Sequence, residues 1–152
     1  MSITFEWARM ESMTPRQIYD ILGAREAVFV VEQACPYQEI DGADFASWHL
    51  SVRSDGELAG YARVVAPGVK YDDPSIGRVM TVGKFRALKI GRQLMAEAIR
   101  FTAATYPDRN IRIGAQARLQ DFYESLGFVR TSEIYSEDGI PHIEMTRCAA
   151  SG

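Results

Sequence analysis

Residues 48–53 alternate strictly, with Trp48, Leu50 and Val52 interleaved with His49, Ser51 and Arg53. A period of two sends the two sets to opposite faces of a β-strand. Ser54-Asp55-Gly56-Glu57 then supplies turn chemistry and 58–65 returns, so the pair reads as a hairpin. Elsewhere the period lengthens. Thr14, Pro15 and Gln17 mark a helix start: a hydroxyl cap, proline at the first helical position and glutamine three after the cap. Ile18, Ile21, Leu22, Arg25 and Phe29 follow at helical spacing, and 33–44 reads as a polar loop of functional length. Within 86–106, Ile90, Leu94, Ala98 and Phe101 mark an amphipathic helix stopped by Pro107. Leu119, Phe122, Tyr123 and Leu126 form a shorter apolar stripe, closed by Gly127 at a left-handed cap.

Strands are expected at 3–9, 76–82 and 111–115. Segments 128–135 and 141–147 should close the fold as an antiparallel pair around Glu137-Asp138-Gly139. The order β-α-β-β-β-α-β-α-β-β predicts an α+β fold, a mixed central β-sheet flanked by helices. Its 152 residues are expected to form one domain over 1–152, long enough to bury a substantial core.

Composition narrows the classes. The chain is 47% hydrophobic and 24% charged, ordinary for a globular protein. No apolar run approaches the roughly 18 residues that span a bilayer, so no membrane partner is expected. The first ten residues carry Glu6 and Arg9 and no apolar h-region, which argues against a signal peptide. Cys35 and Cys148 are the only cysteines, and a reduced, cytoplasmic chain is expected. With only His49 and His142, and no Cys/His spacing for zinc, no metal is expected. A net charge of −3 argues against general nucleic-acid binding.

The placement of charge says more than its sum. Arg78, Lys84, Arg86, Lys89 and Arg92 occupy 78–92 without an acid, and Glu32, Glu39, Asp41 and Asp44 occupy 32–44 without a base. A local anion site and an acidic cation-receiving loop are one reading; two solvated faces are the other. The basic stretch sits where a strand gives way to a helix. Free N–H groups and the positive end of a helix dipole favour an anion there, and Gly91 permits close approach of a phosphate.

Arg86-Ala87-Leu88-Lys89-Ile90-Gly91 resembles the acetyl-CoA motif of the GNAT acyltransferases, Arg/Gln-x-x-Gly-x-Gly/Ala, with Lys89 at the middle glycine. The run from Gln116 to Phe128, with Phe122-Tyr123 and Leu126-Gly127-Phe128, resembles the later helix of that superfamily. Arg25, Val28 to Gln33, Cys35-Pro36-Tyr37, Asp41-Gly42, Asp44, Ile76 to Val79, Gly114-Ala115-Gln116 and Glu137 to Ile143 resemble its ElaA-type branch, which also carries lysine at the middle glycine.

The resemblance covers nearly the whole chain. It implies a GNAT-like domain that moves an acetyl (acyl) group from acetyl-CoA to a primary amine by direct attack. Val79, Met80 and Thr81 match the strand that hydrogen-bonds the pantetheine arm. Arg86, Ala87, Leu88, Lys89, Ile90, Gly91 and Arg92 match the pyrophosphate loop, and Gln116 matches a polar pantetheine contact. Tyr123 matches the tyrosine that reprotonates the departing sulfur; a buried tyrosine packed in the core is the competing reading. Glu32, Glu39, Asp41, His49, His142 and Glu144 are all open as the general base, as is a water relay. Glu32, Asp41 and His142 are the substrate-side candidates. The acidic loop favours a cationic amine, small-molecule or protein-borne, or else forms a homodimer contact. A non-catalytic acyl-CoA-binding sensor or partner module is the alternative function. A nucleotide P-loop is disfavoured by the absence of Gly-x4-Gly-Lys-Ser/Thr.

Overall fold

The alternation at 48–53 builds a strand whose two faces are both covered. In the computed structural model, which describes residues 2–149, β2 (Ser47–Ser54) buries Leu50 and Val52 on one side and His49 and Ser51 on the other. It lies antiparallel between β1 (Ile3–Arg9) and β3 (Glu57–Val65). Asp55 and Gly56, at φ 50° and 85°, make the left-handed two-residue turn joining β2 to β3. Next come β4 (Ser75–Thr81), β5 (Ile111–Gln116), β6 (Val129–Arg130), β7 (Tyr135–Glu137) and β8 (Ile140–Arg147). All belong to one mixed sheet in the order β1-β2-β3-β4-β5-β8-β6, with β7 also paired to β8. The expected strand at 128–135 is therefore two. Between its halves the Glu144 N–H donates to the Ser132 hydroxyl, so a side chain interrupts the backbone ladder.

The helix α2 (Gly91–Thr105) covers one face with Leu94, Met95, Ala98, Ile99 and Thr102, a spacing that holds one stripe inward. Its approach is close: a Cβ on Gly60 of β3 would lie 2.9 Å from Leu94 Cδ1. Trp7 stacks on Phe101 at 3.8 Å and Trp48 meets the same ring edge-on, tying β1 and β2 to α2. The opposite face receives α1 (Pro15–Arg25), whose Thr14–Gln17 capping box is complete. The chain then widens into a π-helical turn over Glu26–Glu32 instead of extending the α-helix through Phe29. Ile21, Val28, Tyr61 and Met80 form a second, smaller apolar cluster there.

Beside that cluster lies a buried ion network, which is where the acidic loop goes. Arg25 meets Glu39 and Asp44, each at 2.7 Å, and Arg63 meets Asp41 at 2.6 Å and Asp44 at 3.0 Å. Arg78 reaches Glu39 and Asp41, and Lys70 reaches Asp41 at 2.9 Å. Burial alone pushes Asp44 up, but the hydrogen bond and charge of Arg25, with the charge of Arg63, hold its carboxyl below the usual range. Burial likewise opposes ionisation of Asp41, and hydrogen bonds from Arg63 and Lys70 outweigh it.

Entry into α2 also departs from the expected helix over 86–106. Gly83–Leu88 winds as 3₁₀ turns, Lys89 takes φ 54° and ψ 45°, and the α-helix starts at Gly91. A left-handed residue breaks the α-helical path, and glycine adopts that conformation most readily. The middle position of the motif is thus a backbone requirement that Lys89 meets under strain.

Asp44→Asn leaves Arg25 and Arg63 short of a counter-charge, and the urea midpoint should report a loss of about 3–5 kcal/mol. Because Asp41 and Asp44 have depressed folded pKa values, the unfolded chain takes up protons first as pH falls. Their stabilisation is complete above the ordinary carboxylate range, near pH 4, and declines as pH drops through it; thermal melts should show that acid slope, shallower in Asp44→Asn. Lys89→Gly should raise stability by about 0.5–1 kcal/mol, the left-handed penalty less the extra chain entropy of glycine; a lower denaturation midpoint would contradict this.

Candidate active site

β4 and β5 share one registered parallel pair, Ser75 with Arg112, and separate beyond it. Two cavities open in and beside the gap. The inner one, about 140 Å³, is walled by Gly77, Arg78 and Val79 of β4 and by Ile113 to Gln116 of β5. The outer one, about 510 Å³, is walled by Val79, Met80, Thr81, Glu32, Arg86 and Arg118. Phe29, Gln33, Val79, Gln116 and Leu119 line both, so the two adjoin.

Arg86, in the 3₁₀ turns that lead into α2, walls the outer cavity. No side chain caps that helix, and the first N–H groups of any helix have no intrahelical acceptor. A Cβ on Gly91 would meet nothing within 4 Å, so the backbone there is open to a close-lying group. These features fit an anionic group such as a pyrophosphate. Arg86 forms an ion pair with Glu32, whose carboxyl the Arg86 hydrogen bond holds below its usual range. Arg92 bonds the Ser125 hydroxyl at 2.8 Å and stacks over Phe122. Lys89 makes no ion pair among the described residues. Ile90 and Leu88 turn their side chains into or against the core, so only their backbone is available to a ligand.

The inner cavity gathers Tyr123 and His142 with Cys35, Tyr37, Glu137 and Asp138. Tyr123 is 8% exposed and packs edge-on against Phe122 and Phe128; burial pushes its phenol up to about 12. It therefore keeps its proton at neutral pH. Its ring belongs to the core and it also lines the cavity wall. Nδ1 of His142 lies 2.8 Å from the Ile140 carbonyl. A carbonyl only accepts, so Nδ1 carries the proton and Nε2 keeps the lone pair of the neutral ring. That Nε2 lies 3.4 Å from the Glu137 carboxylate.

Among the other base candidates, His49 is enclosed between the Tyr61 hydroxyl and the Asp44 carbonyl, and burial lowers its pKa. Glu39 is committed to Arg25 and Arg78, and Glu144 sits beside Arg112 at 3.5 Å. None of the three lines either cavity. Asp41 is absent from both walls as well, its oxygens taken by Arg63, Arg78 and Lys70. The acidic loop is thus neutralised from within, and the expectation that Asp41 receives a cationic amine is corrected accordingly. Arg78, Arg118, Tyr37 and Glu137 are wall residues to which the sequence gives a place in its motif segments but no role; the fold brings them together.

Comparison with known proteins agrees with this geometry. The family model described as "Acetyltransferase (GNAT) domain" matches residues 11–148. The chain is 42% identical over 146 residues to Protein ElaA of Escherichia coli, covering 93% of this chain and 95% of that one. The crystal structure of Escherichia coli ElaA superimposes with a TM-score of 0.89 over 96% of this chain and 99% of that one, at 40% identity. An acyl-CoA N-acyltransferase from Pseudomonas aeruginosa superimposes with a TM-score of 0.91 over 97% and 100%, at 38% identity. A matched family over nearly the full length, with relatives about 40% identical over nearly the whole chain, means that the chain belongs to the GNAT acetyltransferases, with ElaA among its relatives.

Proposed function

We propose that the protein is an N-acyltransferase that moves an acyl group, acetyl in the first instance, from acyl-CoA to a primary amine by direct attack. The observation that carries this reading is the pair of adjoining cavities beside the parted strands, with Arg86 in the wall of one and Tyr123 and His142 in the wall of the other. When bound, acyl-CoA supplies an activated thioester. Backbone N–H groups from Gly91 onward, with Lys89 and Arg86, hold the pyrophosphate end. The unpaired edge of β4 at Val79, Met80 and Thr81, with Gln116 across the gap, orients the pantetheine arm, and a backbone N–H near Met80 polarises the acyl carbonyl.

His142 Nε2 accepts the amine proton, and Glu137 beside it stabilises the imidazolium that results. Tyr123 donates its proton to the sulfur that leaves, and its high pKa ensures that the phenol is protonated when needed. The narrow inner cavity excludes bulk water from the thioester and aligns the amine with it.

Titration calorimetry with acetyl-CoA, against ATP, tests the donor; micromolar binding with ATP much weaker is expected, and no binding would end this reading. Arg86→Ala should weaken acetyl-CoA about tenfold, or roughly 1.4 kcal/mol; an unchanged Kd would remove Arg86 from the phosphate site. Tyr123→Phe should lower kcat about 10²-fold in a thiol-release assay with acetyl-CoA affinity nearly unchanged. A matching loss of folding stability without a selective loss of kcat would make Tyr123 a packing residue only.

A further inference from the structure

The inner cavity has a cation on one wall and acids on the other. Arg25 and Arg63 are fully engaged in the buried network, with side chains 0% and 2% exposed. Arg78 is different. Its side chain is 20% exposed and forms part of the inner cavity wall. Nε donates to Glu39, and Nη2 donates to the Glu39 carbonyl at 3.2 Å and to Asp41 at 3.3 Å. Nη1 makes no hydrogen bond among the described residues. The two carboxylates behind it are shared, Glu39 with Arg25 and Asp41 with Arg63 and Lys70. Four cations thus divide three carboxylates, and the open face of Arg78 stays positive.

The backbone places that guanidinium deliberately. Arg78 has φ 51° inside β4, where the register with β3 breaks between Tyr61–Met80 and Arg63–Gly77. A non-glycine residue in that conformation is strained, and a bulge of this kind re-aims a side chain out of the strand's alternation. Tyr37 packs under the guanidinium at 5.8 Å and fixes its plane. Across the cavity stand Glu137, Asp138 and His142, held in place by the β7–β8 turn and by the Cys35 thiol donating to the Asp138 carbonyl at 3.1 Å.

A cavity polarised in this way matches a small zwitterion and disfavours a polyamine, which would bring a second cation against Arg78. We propose that the acceptor is a free amino acid-type molecule: its carboxylate binds Nη1 of Arg78, and its amine lies toward His142 and Glu137. The proposal rests on the acyltransferase reading above and assigns Arg78 the choice of acceptor. In the transfer the ammonium of the zwitterion first releases one proton to solvent, and the neutral amine nitrogen then bonds the acyl carbon as the carbon–sulfur bond breaks. One amine proton passes to His142, Tyr123 protonates the sulfur, and proton return from His142 to Tyr123 resets the site.

The test uses wild type, Arg78→Gln and Arg78→Lys, all saturated with CoA, in saturation-transfer NMR against mixtures of free amino acids and of the corresponding amino acid amides. Hits are then carried to thiol release with acetyl-CoA. At least one free amino acid should bind, and react, tenfold or more better than its amide. Arg78→Gln should abolish that preference with acetyl-CoA affinity unchanged, and Arg78→Lys should restore part of it. Equal use of amides, or binding of no free amino acid by protein that does bind acetyl-CoA, would overturn the proposal while leaving the acyltransferase reading intact. Failure to bind acetyl-CoA would remove both. Should Arg78→Gln not fold, the wild-type preference for acid over amide decides the matter alone.

Discussion

The site depends on a single place where the sheet lets go. Arg112 N–H reaches the Pro74 carbonyl, Ser75 faces Arg112, and after that the backbones of β4 and β5 part. Backbone N–H and C=O groups need partners wherever water is scarce. An interior edge left unpaired by a neighbouring strand is therefore a template for an extended, hydrogen-bonding ligand. The rest of the sheet makes that gap affordable in structural terms: the antiparallel ladders of β1 to β4 and of β5 with β8 run without such an opening. The gap stands between these two paired parts of the sheet, and Leu119 and Phe29 line both cavities beside it.

The buried ion network plays a complementary part. It fastens a loop with little regular structure to β3 and β4 through charges drawn from positions far apart in the chain. Removing charge from water is unfavourable unless partners and hydrogen bonds compensate, so such a network specifies one arrangement of the loop more than it adds to stability. One buried atom, Nε of Arg63, has no partner among the described residues, a sign that geometry at this cluster is set by the ensemble of pairs and not by each in turn.

Much of this was legible in the chain before any coordinates. The Thr14 capping box, the Asp55-Gly56 and Asp138-Gly139 turns and the left-handed Gly127 are local rules with local causes, and each appears as read. The segment at 86–91 is legible by its motif, and the φ of Lys89 explains why the motif prefers glycine. The acidic loop stays open between two readings in the sequence because its partners, Arg25, Arg63 and Arg78, lie up to 39 residues away. The same distance hid Arg78 and Arg118 as wall residues. The π-helical turn after Arg25 was hidden for another reason: its apolar spacing over Val28 and Phe29 suits an α-helix equally well.

The indoles stand apart from the cavity walls, and this separation has an optical meaning. Both indoles, Trp7 and Trp48, are locked to Phe101 on the α2 side, and neither cavity has a tryptophan in its wall. Tyrosines, by contrast, border the inner cavity at Tyr37 and Tyr123. Indole emission in this protein is a gauge of whether β1, β2 and α2 remain docked, while the phenols carry whatever spectral change accompanies filling of the inner cavity.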